Sequence, residues 1–266
     1  MNNMQTNNMF SIKRFILLFK QSVIVNKKLI GISLIGAAGI LFVALFFLQS
    51  INNYRWDSFP SMIFFLFCYV SLGGIFISQS FPAFRSKEKS LVYLLQPASA
   101  SEKFIFEFLT RIIAIIVILP PMFWIIANIE GAIVHHYIPR LISYKFSFGE
   151  GLDRLITSKE MSGWNIFALI QFFLFAYMVM FTGACHFSKS PRTKTLFTLS
   201  VVVGGFILLG YLLYRGLNLK EYDMNGKSIL FMQEKESVTI FLSIVGLVIN
   251  ISLIAIAWFR FKEKEV

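Results

Sequence analysis

The side chains able to do chemistry are few, and most can be named one by one. Between residues 29 and 259 lie six long apolar runs with no Asp, Glu, Lys or Arg. At the end of the fourth run, His186 beside Ser188 and Lys189 could carry a proton near neutral pH, or simply sit hydrogen-bonded at headgroup level. His135 and His136 are adjacent, and adjacent residues share no helix face and point oppositely on a strand, so they make a poor metal pair. Cys68 and Cys185 fall in different runs, far apart in the chain, and read as small apolar packing residues rather than a disulfide or metal pair. Gln171 and Asn250 could line a substrate path or hydrogen-bond a neighbouring helix, the second being the usual role of such side chains among apolar helices. No glycine-rich phosphate loop of the Walker type occurs. The chain is therefore expected to be no enzyme, with no metal and no cofactor of its own, and any energy input must come from a partner.

These groups must be positioned by the runs themselves: 29–51, 59–81, 112–129, 164–187, 195–214 and 238–259. At ~1.5 Å of rise per residue each matches a hydrocarbon layer of ~30 Å. Soluble helices keep a polar face, and these runs have none. Buried strands are much shorter, and barrel strands alternate. The expectation is an all-α integral membrane protein with six transmembrane helices. Trp56, Trp124, Trp164 and Trp258 fall near run ends, where interfacial anchoring puts them. The first run is longer than a signal-peptide core and lacks a cleavage pattern, so it reads as a retained span.

Charge orients the spans. Alternate flanking segments divide the chain into one set with 16 Lys and Arg against 5 Asp and Glu, and another with 9 against 9, so the net +11 lies on one side. Positive flanks stay in the cytoplasm during insertion, which predicts cytoplasmic termini and, with the family resemblance below, a multi-pass protein of the bacterial inner membrane. Attraction to anionic lipid accounts for this basic excess, and nucleic acid is not implied.

Within 1–28, a polar tail (1–9) precedes a stretch where Lys13, Lys20 and Lys27 form one row and Arg14, Gln21 and Lys28 the next. On a helix this is a basic stripe against Phe15, Ile16, Leu18, Phe19 and Val23. It predicts an amphipathic elbow helix on the membrane surface, its cations on lipid; a solvated basic tail is the alternative. Residues 29–266 form the span domain. Between spans two and three, Arg85, Lys87, Glu88 and Lys89 precede Leu91 to Leu95, an apolar patch too short to cross a bilayer. After Pro97, Ser99 and Glu102 form a capping box, predicting a helix from about Ala100 that runs unbroken into span three. Lys103, Glu107 and Arg111, four apart, suit a water-exposed extension of it. Pro120 and Pro121 predict a bend or break in span three. Outside, 130–163 is a long connection, with Phe148, Leu152, Leu155 and Ile156 at the spacing of a short surface helix. Gly74 with Ser78 and Ser200 with Gly204 could allow close helix approach.

The phrase Tyr93-Leu94-Leu95-Gln96-Pro97-Ala98-Ser99-Ala100-Ser101-Glu102-Lys103-Phe104, together with the basic lead-in and six-span pattern, resembles the membrane permease subunits of ABC-2 type bacterial exporters. The resemblance implies a transport subunit energised by a separate cytoplasmic ABC ATPase that binds the ATP. It also implies pairing with a second permease copy or a paralogue. The ATPase would dock on a coupling loop including Arg85, Lys87, Leu91, Tyr93, Leu94 and Glu102, which would bury the apolar patch; the patch pressed against the membrane interface is the alternative. The 130–163 connection is longer than that pattern expects and would serve substrate release or an accessory protein. Two alternatives stand beside it: a non-transporting scaffold or regulator of a secretion or motility complex, and an ion-coupled carrier, disfavoured by the scarcity of titratable groups in the spans.

Overall fold

The computed structural model describes residues 10–51, 57–85, 90, 93, 98–137, 145–157, 163–216 and 235–265. Among them the regular structure is all helical. Five helices are long and apolar enough to cross a membrane: Ile12–Ile51, Ser58–Ile77, Ala100–Tyr137, Gly163–His186 and Thr239–Lys264. This is the architecture of a multi-pass membrane protein. The expected span 195–214 lies on a further helix, Pro191–Gly216, most of whose side chains beyond Gly205 lie outside the described residues.

The chain divides into two compact units. The first comprises Met1–Phe76 and Leu94–Glu160, the second Ile77–Tyr93 and Met161–Val266.

In the first unit, α1 is a single helix, Ile12–Ile51, of 40 residues. No turn sets off the elbow from the span. The reason is local: no proline occurs in this stretch, Gly31 is its first glycine, and Leu, Ile, Lys and Val continue the helix on both sides of Lys28. Ser11 just before it and, along its first half, Arg14, Phe15, Leu18, Ser22 and Asn26 turn partly inward, on one helix face. Lys13, Lys20, Lys27 and Lys28 stay exposed alongside Ile16, Leu17, Val23 and Ile24. Helix α2 is Ser58–Ile77.

Helix α3, Ala100–Phe108, starts at the predicted capping box: the Glu102 amide donates to Ser99 Oγ (3.3 Å) and the Ser99 amide to Glu102 Oε2 (2.9 Å). It passes through a π turn, Leu109–Ile113, into α4, Ala114–Tyr137, so helix is continuous from Ala100 to Tyr137. Pro120 and Pro121 lie within α4 and do not end it. The extension before the membrane is not water-exposed as expected. Glu102, Lys103 and Glu107 are buried there, Phe106 meets the rings of Phe15 and Phe19 of α1, and Arg111 lies over Phe76 while bonding Glu107. The four-residue charge spacing is satisfied as an ion pair, but the helix face that carries it packs against α1 and Phe76 of α2 within the unit.

Leu41, Leu45, Phe65, Cys68, Leu119, Phe123 and Ile126 make the core, and Phe146 closes one end of it. Asn128 fixes that closure, its Oδ1 accepting from the Phe146 amide (3.1 Å) and its Nδ2 donating to the Phe146 carbonyl (3.3 Å). The predicted short helix exists as α5, Phe148–Thr157. It lies over the start of α2, with Phe148 5.0 Å from the Phe65 ring, Ser58 donating to Glu150, Arg154 paired with Asp57, and a Cβ on Gly151 coming within 3.0 Å of Met62.

In the second unit, α6 (Gly163–His186) and α8 (Lys235–Glu265) run side by side in the same direction. Thr239 donates to Asn165 near their starts (3.0 Å), Thr182 to the Leu253 carbonyl (3.1 Å), and Lys264 to the Cys185 carbonyl near their ends (2.6 Å). Helix α7, Pro191–Gly216, follows α6 after a short turn and approaches it at Gly183, where any Cβ would collide with the Thr195 side chain. Two neighbouring helices running the same way require α7 to return between them.

Candidate functional site

Glu102 organises the strongest site. Its side chain is fully buried, yet both oxygens are used. Oε1 accepts from the Ser11 amide (2.5 Å) and from Arg14 Nε (3.2 Å) and a terminal guanidinium nitrogen (3.0 Å), while Oε2 accepts from the Ser99 amide. Ser11 immediately precedes α1 and Ser99 precedes α3, so one carboxylate meets the positive ends of two helices. Glu102 lies before the uncharged run 112–129. Burial alone would raise its carboxyl, but the Ser11 and Ser99 amides and the Arg14 guanidinium outweigh that and hold it below its ordinary value. The sequence signal for half of this was the capping box; the bond to α1 had none, because the partners stand 88 to 91 positions apart. Arg14, expected on lipid with Lys13, Lys20, Lys27 and Lys28, instead turns inward.

The rest of the expected coupling segment begins in the second unit. After α2 comes a 3₁₀ turn, Pro82–Arg85. Arg85 donates to the carbonyls of Ser78 (3.0 Å) and Ser80 (3.4 Å), and Arg192 at the start of α7 donates to Ser78 Oγ (3.0 Å). Phe81 takes a left-handed backbone, φ 54°, which costs a non-glycine residue about 1–2 kcal/mol. Its ring is held against Phe84, Phe181 and Phe261 at 5.0–5.7 Å. Lys264 caps the end of α6 and also lies 4.9 Å over the Phe84 ring. Tyr93 is half-buried, edge-on to Phe84. Lys87, Leu91 and Leu94 lie outside the described residues.

Gln171 and Asn250 bond each other: Asn250 Nδ2 donates to Gln171 Oε1 (2.7 Å) and to the Gln171 carbonyl (3.2 Å), which makes them a helix-to-helix clasp. Gly74 and Ser78 are buried, whereas Ser200 and Gly204 are exposed on α7. His135, His136 and His186 are exposed. Among the described residues no group of three or more His, Cys, Asp or Glu comes together as a metal site.

One buried acid was missed. The outer connection was expected to begin at Glu130, but α4 runs on to Tyr137 and Glu130 is fully buried within it. Gln49, 3% exposed on α1, donates Nε2 to Glu130 Oε2 (2.6 Å), and among the described residues Oε1 has no hydrogen-bond partner. The available signal was the apolar Ala132-Ile133-Val134 that follows the acid and continues the helix period. The chain matches no family model, no curated protein and no solved structure.

Proposed function

We propose that this chain is the membrane permease subunit of an ABC-2 type export system, energised by a separate cytoplasmic ATPase that docks on the segment between α2 and α3. The subunits work as a pair, with a second copy or a paralogue, and the access of the path between them alternates as the ATPases close and open.

The observation that carries this reading is the junction at Glu102. A coupling segment can do work in the membrane only if its displacement reaches the spans. The end of this segment is the capped start of a helix that continues for 38 residues. Its first turn is also tied to α1 by a buried charged carboxylate. A push on Ser99–Glu102 would therefore be delivered to two membrane-crossing helices at once. In the second unit, where the segment starts, Arg85 bonds the turn at Ser78 and Ser80 and the Phe81 ring packs on α6 and α8. The absence of a Walker loop leaves ATP to the partner.

The test is affinity purification of the tagged chain from native membranes, with companion chains identified by mass spectrometry. An ATPase carrying a Walker motif is expected. Replacing Leu91, Tyr93 and Leu94 together by alanine should reduce its recovery severalfold with the permease still folded. Unchanged recovery, or no ATPase at all, overturns the reading.

A further inference from the structure

The Glu130 carboxyl has no part in that reading. Its surroundings are apolar: Ile126, Ala127, Gly131 and Val134 on its own helix are buried with it, and Leu41 and Leu45 precede Gln49 on the buried face of α1. Among the described residues no cation is paired with it. The ion pairs described in the first unit join Arg14 to Glu102, Arg111 to Glu107 and Arg154 to Asp57. On the elements packed around it, α1's lysines lie at least twenty residues, ~30 Å along the helix, before Gln49. On α4, His135 and His136 are exposed; on α5, Asp153 is exposed and Glu150 is bonded to Ser58; Lys145 before α5 is also exposed. Among the described residues none of these groups is ion-paired with Glu130.

Such a carboxyl is a poor permanent anion and a poor metal ligand. As an anion it has one N–H donor for two oxygens, and leaving a buried charge so under-bonded is costly. A sodium, magnesium or calcium ion would need a shell of several oxygens, whereas the neighbouring polar group turns an N–H toward the carboxyl. A proton needs only one oxygen. Oε2 can accept from Gln49 whether the group is ionised or neutral, leaving Oε1 as the atom that gains or loses hydrogen. We propose that Glu130 is a proton-binding site inside the membrane region, held in both states by Gln49. Uptake forms one O–H bond at Oε1 and neutralises the carboxylate; release returns the proton to water and restores the anion, with no other bond changed.

The test uses the full chain in lipid vesicles. Dicyclohexylcarbodiimide reacts with carboxyls that are protonated in apolar surroundings, leaving a stable N-acylurea that peptide mass spectrometry locates. The adduct is expected on Glu130, with Glu102 unlabelled, declining as pH is raised and lost in Glu130→Gln. Infrared difference spectra between low and high pH should show a carboxylic C=O band that the same variant removes. Gln49→Leu, which deletes the donor to the anion, should carry the labelling midpoint upward by about one pH unit, a tenfold change in proton affinity. Absence of both adduct and band overturns the proposal. So does protection from labelling by sodium or potassium at fixed pH, which would make the ligand a metal cation.

Discussion

Glu102 and Glu130 are the same residue type in one unit, both fully buried, and differ only in how many donors reach them. Glu102 has three residues donating to it, one a guanidinium, and is stable as an anion; Glu130 has one amide. Deleting Glu102 should therefore be costly. Glu102→Ala takes a carboxylate from Arg14 and leaves two helix-terminal amides without this acceptor, at ~1–3 kcal/mol for each buried donor a loss of about 2–6 kcal/mol. Arg14→Ala should cost less, about 1–3 kcal/mol, because Arg14 is partly exposed and both backbone amides still serve the carboxylate. Thermal unfolding in detergent would rank them, and an equal loss in both would mean that the amides contribute little. Acid adds a second check. A carboxyl held below its ordinary value in the fold contributes stability in full above its unfolded value and loses it as pH falls through the folded one. The Tm of the wild-type chain should thus fall more steeply on acidification than that of Glu102→Gln.

At the scale of elements, the contact between α6 and α7 depends on a hydrogen atom. Gly183 faces Thr195, whose branched Cβ has little rotamer freedom in a helix, so Gly183→Ala should push the two helices apart. Thr195→Gly in the same chain should restore most of the lost Tm, a coupling that a mere propensity effect would not produce. The Gln171–Asn250 clasp is a smaller term. Interhelical hydrogen bonds in membranes average about 0.6 kcal/mol, and a double-mutant cycle with leucine at both positions should return a coupling of that order. What was legible here follows from the range of each interaction. The capping box at Ser99, the helix beginning at Phe148 and the packing role of Gln171 and Asn250 are local patterns, or defaults of apolar helices, and could be read directly. The inward turn of Arg14, the burial of Lys103 and Glu107, and the pairing of Gln49 with Glu130 are set by partners far away in the chain. The missing elbow is a different failure: a basic stripe marks where a helix meets headgroups but does not end it, and no residue near Lys28 does.

For the whole molecule the question is direction. In the first unit, the starts of α1 and α3 meet at Glu102, and Gln49 and Glu130 meet far along the same two rods, so these helices run the same way. In the second unit, residues 78–85 pack with the ends of α6 and α8 and the start of α7, which puts all four at one end. These are the segments carrying the 16 positive residues against 5 negative ones, so helix direction and charge agree within each unit. Accessibility can test the resulting orientation, and the burial pattern selects the reporters. Lys103 is 4% exposed and would stay silent from either side, whereas Lys194 is exposed and Tyr137, at the far end of α4, is 78% exposed. Both native cysteines are buried, so background labelling is low. In intact cells a membrane-impermeant maleimide should modify Tyr137→Cys and spare Lys194→Cys and Lys13→Cys until the membrane is opened. The reverse pattern would invert the protein. Labelling of all three from outside would mean that the apolar helices do not separate two compartments, and the permease reading would fall with them.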